Sequence, residues 1–93
     1  MATKEYSYQH ALPRDVVRGR VEGALEQIAR QYGLEREDLG EDRFRLHRSG
    51  VDVQVAVDDG KVTIKVDLSW VLEKAVRKVL EDKLDREVRP ILV

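Results

Sequence analysis

RFRLHRSGVDVQVAVDDGKVTIKVDL, residues 43–68, carries the clearest pattern in the chain. Val51, Val53, Val55 and Val57 alternate with Asp52, Gln54 and Ala56, and Val62, Ile64, Val66 and Leu68 alternate with Thr63, Lys65 and Asp67. A period of two marks a strand with one face buried, because successive side chains point to opposite sides of a sheet. With Asp59-Gly60 as a two-residue primed turn, Asp58 pairs with Lys61, Val57 with Val62, Val55 with Ile64, Val53 with Val66 and Val51 with Leu68. Every apolar residue then meets an apolar residue. Ser49-Gly50, treated the same way, sets Arg48 opposite Val51, Leu46 opposite Val53 and Phe44 opposite Val55. A slip of one residue at either turn would send the apolar face to solvent, so two turns agree on one antiparallel meander with Val55 and Ile64 at its centre. The same registers line up His47, Asp52 and Asp67 in a cross-strand row on the polar face.

The flanking segments read as follows. Residues 5–10 alternate Tyr6, Tyr8 and His10 with Ser7 and Gln9, a first strand that Leu12-Pro13 ends. Proline suits a first helical turn, Asp15 complements a helix N-terminus, and Val17, Val21, Ala24, Leu25, Ile28 and Tyr32 recur at steps of three and four down to a stop at Gly33. Residues 34–39 are rich in charge and form a weak edge strand, followed by turn residues 40–42. Residues 69–88 form a second helix, with Ser69 as N-cap and an apolar stripe of Leu72, Ala75, Val76, Val79, Leu80 and Leu84. Glu73 with Arg77, Lys78 with Asp82 and Asp82 with Arg86 stand four apart on its solvated face. Lys83 interrupts the stripe; its stem is expected on the sheet rim with the amine in water.

Two helices with one apolar face each and a sheet with one apolar face have one economical arrangement, both helices on the same side of the sheet. The predicted fold is α+β, an antiparallel sheet in β-α-β-β-β-β-α order with two helices packed on one face, in the manner of TBP-like and helix-grip-like folds. Parity supports the weak strand at residues 34–39: with it the first strand pairs antiparallel beside the last, and without it that pairing must be parallel. Ninety-three residues support one core, so residues 1–93 are read as a single domain with residues 89–93 as an apolar tail.

Apolar residues make up 42% and charged residues 38%, with 17 basic and 18 acidic side chains, which disfavours both a disordered tail and a basic nucleic-acid module. Cysteine is absent, removing disulfides, thiol chemistry and zinc ribbons. The start lacks an apolar leader region and no run approaches the roughly 20 apolar residues of a membrane span, so the expectation is a soluble cytoplasmic protein. Ser7, Ser49 and Ser69 are the serines and His10 and His47 the only bases near neutrality; His47 and Ser49 are separated by a turn, with no third group to orient the imidazole. No glycine-rich phosphate loop or metal-ligand spacing is present. Arg43, Arg45 and Lys65 share the open face with Asp52 and Asp67 and with no aromatic platform, which argues against nucleic acid. The sequence therefore nominates no catalytic, cofactor-binding or metal residue, and the chain is expected not to be an enzyme.

Two surfaces remain as candidates. Tyr6, Tyr8, His10, Tyr32 and Trp70 have polar tips and could line a small-ligand pocket between the helices and the sheet. Val16, Gly19 and Gly23 form a small smooth patch on the first helix, and Ile91, Leu92 and Val93 an apolar tail without an evident place in a monomer core. Together with the weak edge strand these suggest a homodimer.

The order and spacing of short strings add a resemblance. His10-Ala11-Leu12, Arg20-Val21-Glu22, Gln31-Tyr32-Gly33-Leu34, Arg48-Ser49-Gly50-Val51-Asp52, Val66-Asp67-Leu68 and Lys83-Leu84-Asp85 together make the chain similar to the small polyhydroxyalkanoic acid system family of bacterial polyester gene clusters. Val53 and Leu39 depart from that pattern, standing where a glycine and a tryptophan are usual. The resemblance implies a granule-associated or regulatory protein without an established activity: a noncatalytic accessory protein whose partners are the granule surface or its proteins. It carries over no catalytic residue. A small-ligand-binding module is the alternative.

Overall fold

A computed structural model describes residues 2–92 of the chain. The elements are β1 (Ala2–Gln9), α1 (Arg14–Tyr32), β2 (Glu35–Gly40), β3 (Arg43–Arg48), β4 (Val51–Val57), β5 (Lys61–Leu68) and α2 (Trp70–Val88), closed by a short 3-10 helix (Arg89–Leu92). The strands form one antiparallel sheet in the order β1-β5-β4-β3-β2.

The turn chemistry delivers the registers read from sequence. Val55 lies opposite Ile64 and Phe44 opposite Val55, and the Asp58 N–H donates to the Lys61 carbonyl at 2.8 Å to close the β4–β5 turn. Strand β1 pairs antiparallel with β5, placing Tyr6 beside Ile64 and Tyr8 beside Val62. The weak strand exists as β2, exposed along its whole length, with a register shift near Leu39. The hairpin joining it to β3 puts Glu41 and Asp42 at φ 50° and 60°, the left-handed region that a primed turn requires and that glycine or asparagine usually fills. Asp42 is held there by Arg14 at 3.3 Å and Arg18 at 2.9 Å.

Both helices cover one sheet face. Their buried residues, including Val17, Val21, Leu25 and Ile28 from α1 and Leu80, Leu84 and Val88 from α2, close over Phe44, Leu46 and the inward valines of β4 and β5. Val55 and Ile64 sit at 2% and 0% exposure, the centre that the register implies. Helix α1 ends at Gly33 in the left-handed conformation (φ 67°), and Arg48 donates to the orphan Tyr32 carbonyl at 2.6 Å, placing a cation at the negative end of the helix dipole.

Three expectations need correction. Helix α2 does not bury Ala75 and Val79, which are exposed, Val79 at 54%; Leu72, Val76, Leu80, Leu84 and Val88 face inward, and Arg77, expected on the solvated face, is buried. The cause lies on β1. Its two inward tyrosines need hydroxyl partners, and α2 is turned so that Glu81 and Asp85 accept from Tyr6 at 2.8 Å and Tyr8 at 3.0 Å. Lys83 reaches α1 rather than the sheet rim and donates to the Gln31 side chain. The tail has a place in the monomer core after all: the 3-10 helix folds back, Leu92 is buried at 6%, Ile91 packs on the core, and Arg20 donates to the Ile91 carbonyl at 3.1 Å.

Candidate functional site

The relative placement of the helices creates the site. Arg20 meets Ile91 and Gln31 meets Lys83, so α1 and α2 run antiparallel and are slipped along each other. Helix α1 ends near Lys83. The first three turns of α2 run on beyond it, over sheet that α1 does not cover.

Under that overhang lies an apolar groove of about 170 Å³. Leu72, Val76 and Leu80 of α2 form one wall, and Val51, Val53 and Leu68 the floor. Tyr32 and Leu34, at the end of α1, form the opposite wall, with Arg48 beside them. Gly50 closes one end: its carbonyl accepts from the Ser69 N–H at 2.9 Å, and a Cβ added there would stand 2.9 Å from Leu72 Cδ1. Ser69 also caps α2, its hydroxyl accepting from the Leu72 N–H at 3.5 Å. The lining is almost wholly aliphatic, so the groove offers burial and shape but no nucleophile or general base. Val71, Ala75 and Val79 lie exposed on the outer flank of the same helical turns.

Of the five residues proposed for a pocket, only Tyr32 lines this groove, and the side chain of Trp70 lies outside the described residues. Tyr6 and Tyr8 lie under α2 on carboxylates. His10 is near the β4–β5 turn, its Nδ1 accepting from the Leu12 N–H at 3.3 Å and its Nε2 lying 2.8 Å from the Asp58 carbonyl, an arrangement that puts the ring proton on Nε2. Leu34, Arg48, Val51, Leu72 and Val76 were not nominated by the sequence because the groove follows from helix slip, for which residue spacing gives no signal.

The tyrosine cluster is a buttress. Burial first, then the hydrogen bond to Glu81, raises the Tyr6 pKa; burial and Asp85 push that of Tyr8 up further. Both phenols stay protonated as donors. Glu73 is held below the usual carboxylate range by its hydrogen bond from Arg77, and Glu81 by its bonds from Tyr6 and Lys4. Arg77 joins the set by donating to Glu73 at 2.9 Å and to Tyr6 at 3.3 Å.

On the uncovered sheet face the His47, Asp52 and Asp67 row is present by register. Within it Arg45 grips Asp52 with two bonds of 2.9 Å, and His47 Nε2 stands 3.9 Å from Glu37. Among the described residues no group of three or more His, Asp or Glu side chains is placed to hold a metal ion, and no helix is long and apolar enough to cross a membrane. Val16 is 40% exposed, and Gly19 and Gly23 have open space around them on α1; Val93 lies outside the described residues.

No curated protein matches the chain. A family model described as "Putative polyhydroxyalkanoic acid system protein (PHA_gran_rgn)" matches residues 6–92, from the second half of β1 to the end of the 3-10 helix. That span takes in half of β1, every later element of the fold and all nine described residues around the groove, and the chain belongs to the polyhydroxyalkanoic acid system protein family.

Proposed function

We propose that the chain is a noncatalytic accessory protein of the polyhydroxyalkanoate system, associating in the cytoplasm with polyester granules or with proteins on their surface. The family match over residues 6–92 carries this reading. The structure supports it with an exposed apolar surface: Val71 at 61% and Val79 at 54% exposure flank the groove on a side of α2 that no other element covers among the described residues. Exposed apolar side chains on consecutive turns of one helix suit contact with an apolar surface or with a partner helix. Buried Arg77, by contrast, ties α2 to β1 through its bonds to Glu73 and Tyr6.

A fluorescent fusion expressed in cells that accumulate polyester, and in the same cells without it, tests the proposal. The expected result is label concentrated at granules in the first case and diffuse in the second. Label that is diffuse in both contradicts it. The double substitution Val71→Asp and Val79→Asp, which leaves the core untouched, is expected to release the label.

A further inference from the structure

We propose that the groove between α2 and the end of α1 binds a short aliphatic carboxylate of about six carbons, its chain against Val53, Leu68, Leu72 and Val76 and its carboxylate on Arg48. The volume argues for the chain: about 170 Å³ of aliphatic space is comparable with the roughly 150 Å³ apolar cavity that suffices to take a benzene ring. The charge argues for the head group. Arg48 is the one charged residue lining the groove, and among the described residues it forms no ion pair. Its hydrogen-bond partner is the Tyr32 carbonyl, which occupies one nitrogen of a guanidinium that has five N–H donors in a planar fork. That bond also fixes the guanidinium at the groove, and a carboxylate is the anion whose geometry matches the remaining fork. The opening at the overhang provides entry, because no part of α1 extends over Leu72 and Val76.

This inference goes beyond the granule reading, and its test contains no granules, so either can fail alone. Methyl-resolved NMR of the intact chain is titrated with butanoate, hexanoate, decanoate and hexanol. Hexanoate is expected to shift the methyls of Val53, Leu72, Val76 and Leu80, binding about fourfold more tightly for each methylene added from butanoate to hexanoate. The gain should stop before decanoate, whose chain outgrows the groove. Hexanoate should bind more tightly than hexanol; Arg48→Gln should erase that difference while hexanol still binds, and Arg48→Lys should restore part of it. Val76→Phe, which fills the groove, should abolish both ligands. Should that variant lose cooperative unfolding, nuclear Overhauser contacts from the hexanoate terminal methyl to Leu72 and Val76 in the unaltered chain take its place. Absence of groove shifts at millimolar hexanoate, shifts centred elsewhere, or equal affinity for hexanoate and hexanol overturns the proposal.

Discussion

Gly50 and Gly40 both occupy the left-handed region, at φ 83° and 75°, yet their surroundings differ. A Cβ at Gly40 meets open space, whereas one at Gly50 meets Leu72 Cδ1 at 2.9 Å and Ser69 Oγ at 3.3 Å. Gly40→Ala is expected to cost about 1–2 kcal/mol for the backbone conformation alone. Gly50→Ala should cost roughly 1 kcal/mol more, since Leu72 must leave its rotamer; urea denaturation of the two variants reads the difference. Tyr8 offers a second test. Its hydroxyl donates to Asp85, so Tyr8→Phe should lose about 1 kcal/mol at neutral pH. Because the folded pKa is raised above the ordinary 10.0, the tyrosine's contribution is complete below pH 10.0 and lost as pH rises through the folded value. Glu73 and Glu81 are shifted the other way, below 4.5, so their contribution is present above pH 4.5 and lost as pH falls through their folded values. The contributions of these groups are constant between those limits and fall outside them, and Tyr8→Phe should flatten the alkaline limb of the stability profile; an unchanged alkaline limb would show that the Tyr8 phenol is not held protonated by its burial and its bond to Asp85. Gly50 was legible as a turn residue. The partners of Tyr6 and Tyr8 were not, because a hydroxyl on a predicted strand does not say which helix residue will sit above it.

The elements divide into those whose neighbours are set by short turns and those whose neighbours are not. Strands β3 to β5 were readable to the residue because Ser49-Gly50 and Asp59-Gly60 fix their pairings, and even the charged strand β2 followed from parity. Val55→Asp should therefore abolish cooperative folding, since an unpaired carboxylate at 2% exposure costs several kcal/mol. Helix α2 was readable in extent, from its Ser69 cap to Val88, but not in rotation. Val71, Ala75 and Val79 form one apolar line and Leu72, Val76 and Leu80 a second beside it, so periodicity alone permits more than one inward face. The tyrosines of β1 make the choice. Val79→Asp is expected to change stability by no more than about 0.5 kcal/mol, while Val76→Asp should cost well above 1 kcal/mol. Comparable large losses for the two in thermal denaturation would restore the face inferred from spacing, which buries both, and refute the observed rotation.

In the whole molecule, the offset between the helices matters most. It leaves the first turns of α2 unpaired, opens the groove beside Arg48, and at the opposite end lets the 3-10 helix tuck Leu92 into the core. None of this is encoded at a spacing that a single sequence displays, since helix slip depends on how two apolar faces settle on a twisted sheet. Leu92→Ala is expected to cost about 2 kcal/mol, near the low end for a buried leucine because a single 3-10 turn relaxes readily; a frayed tail would show no change in the urea midpoint. The same offset leaves Val71 and Val79 free for an apolar partner, which joins the fold to the family's polyester setting. That connection is tested by mixing the purified chain, at physiological salt, with native polyester granules and with bare hydrophobic beads of equal surface area, then measuring the fraction sedimented with each. Retention on granules well above that on beads, and reduced by the Val71→Asp and Val79→Asp pair, is the predicted result; equal retention on both surfaces, or none on granules, would contradict it.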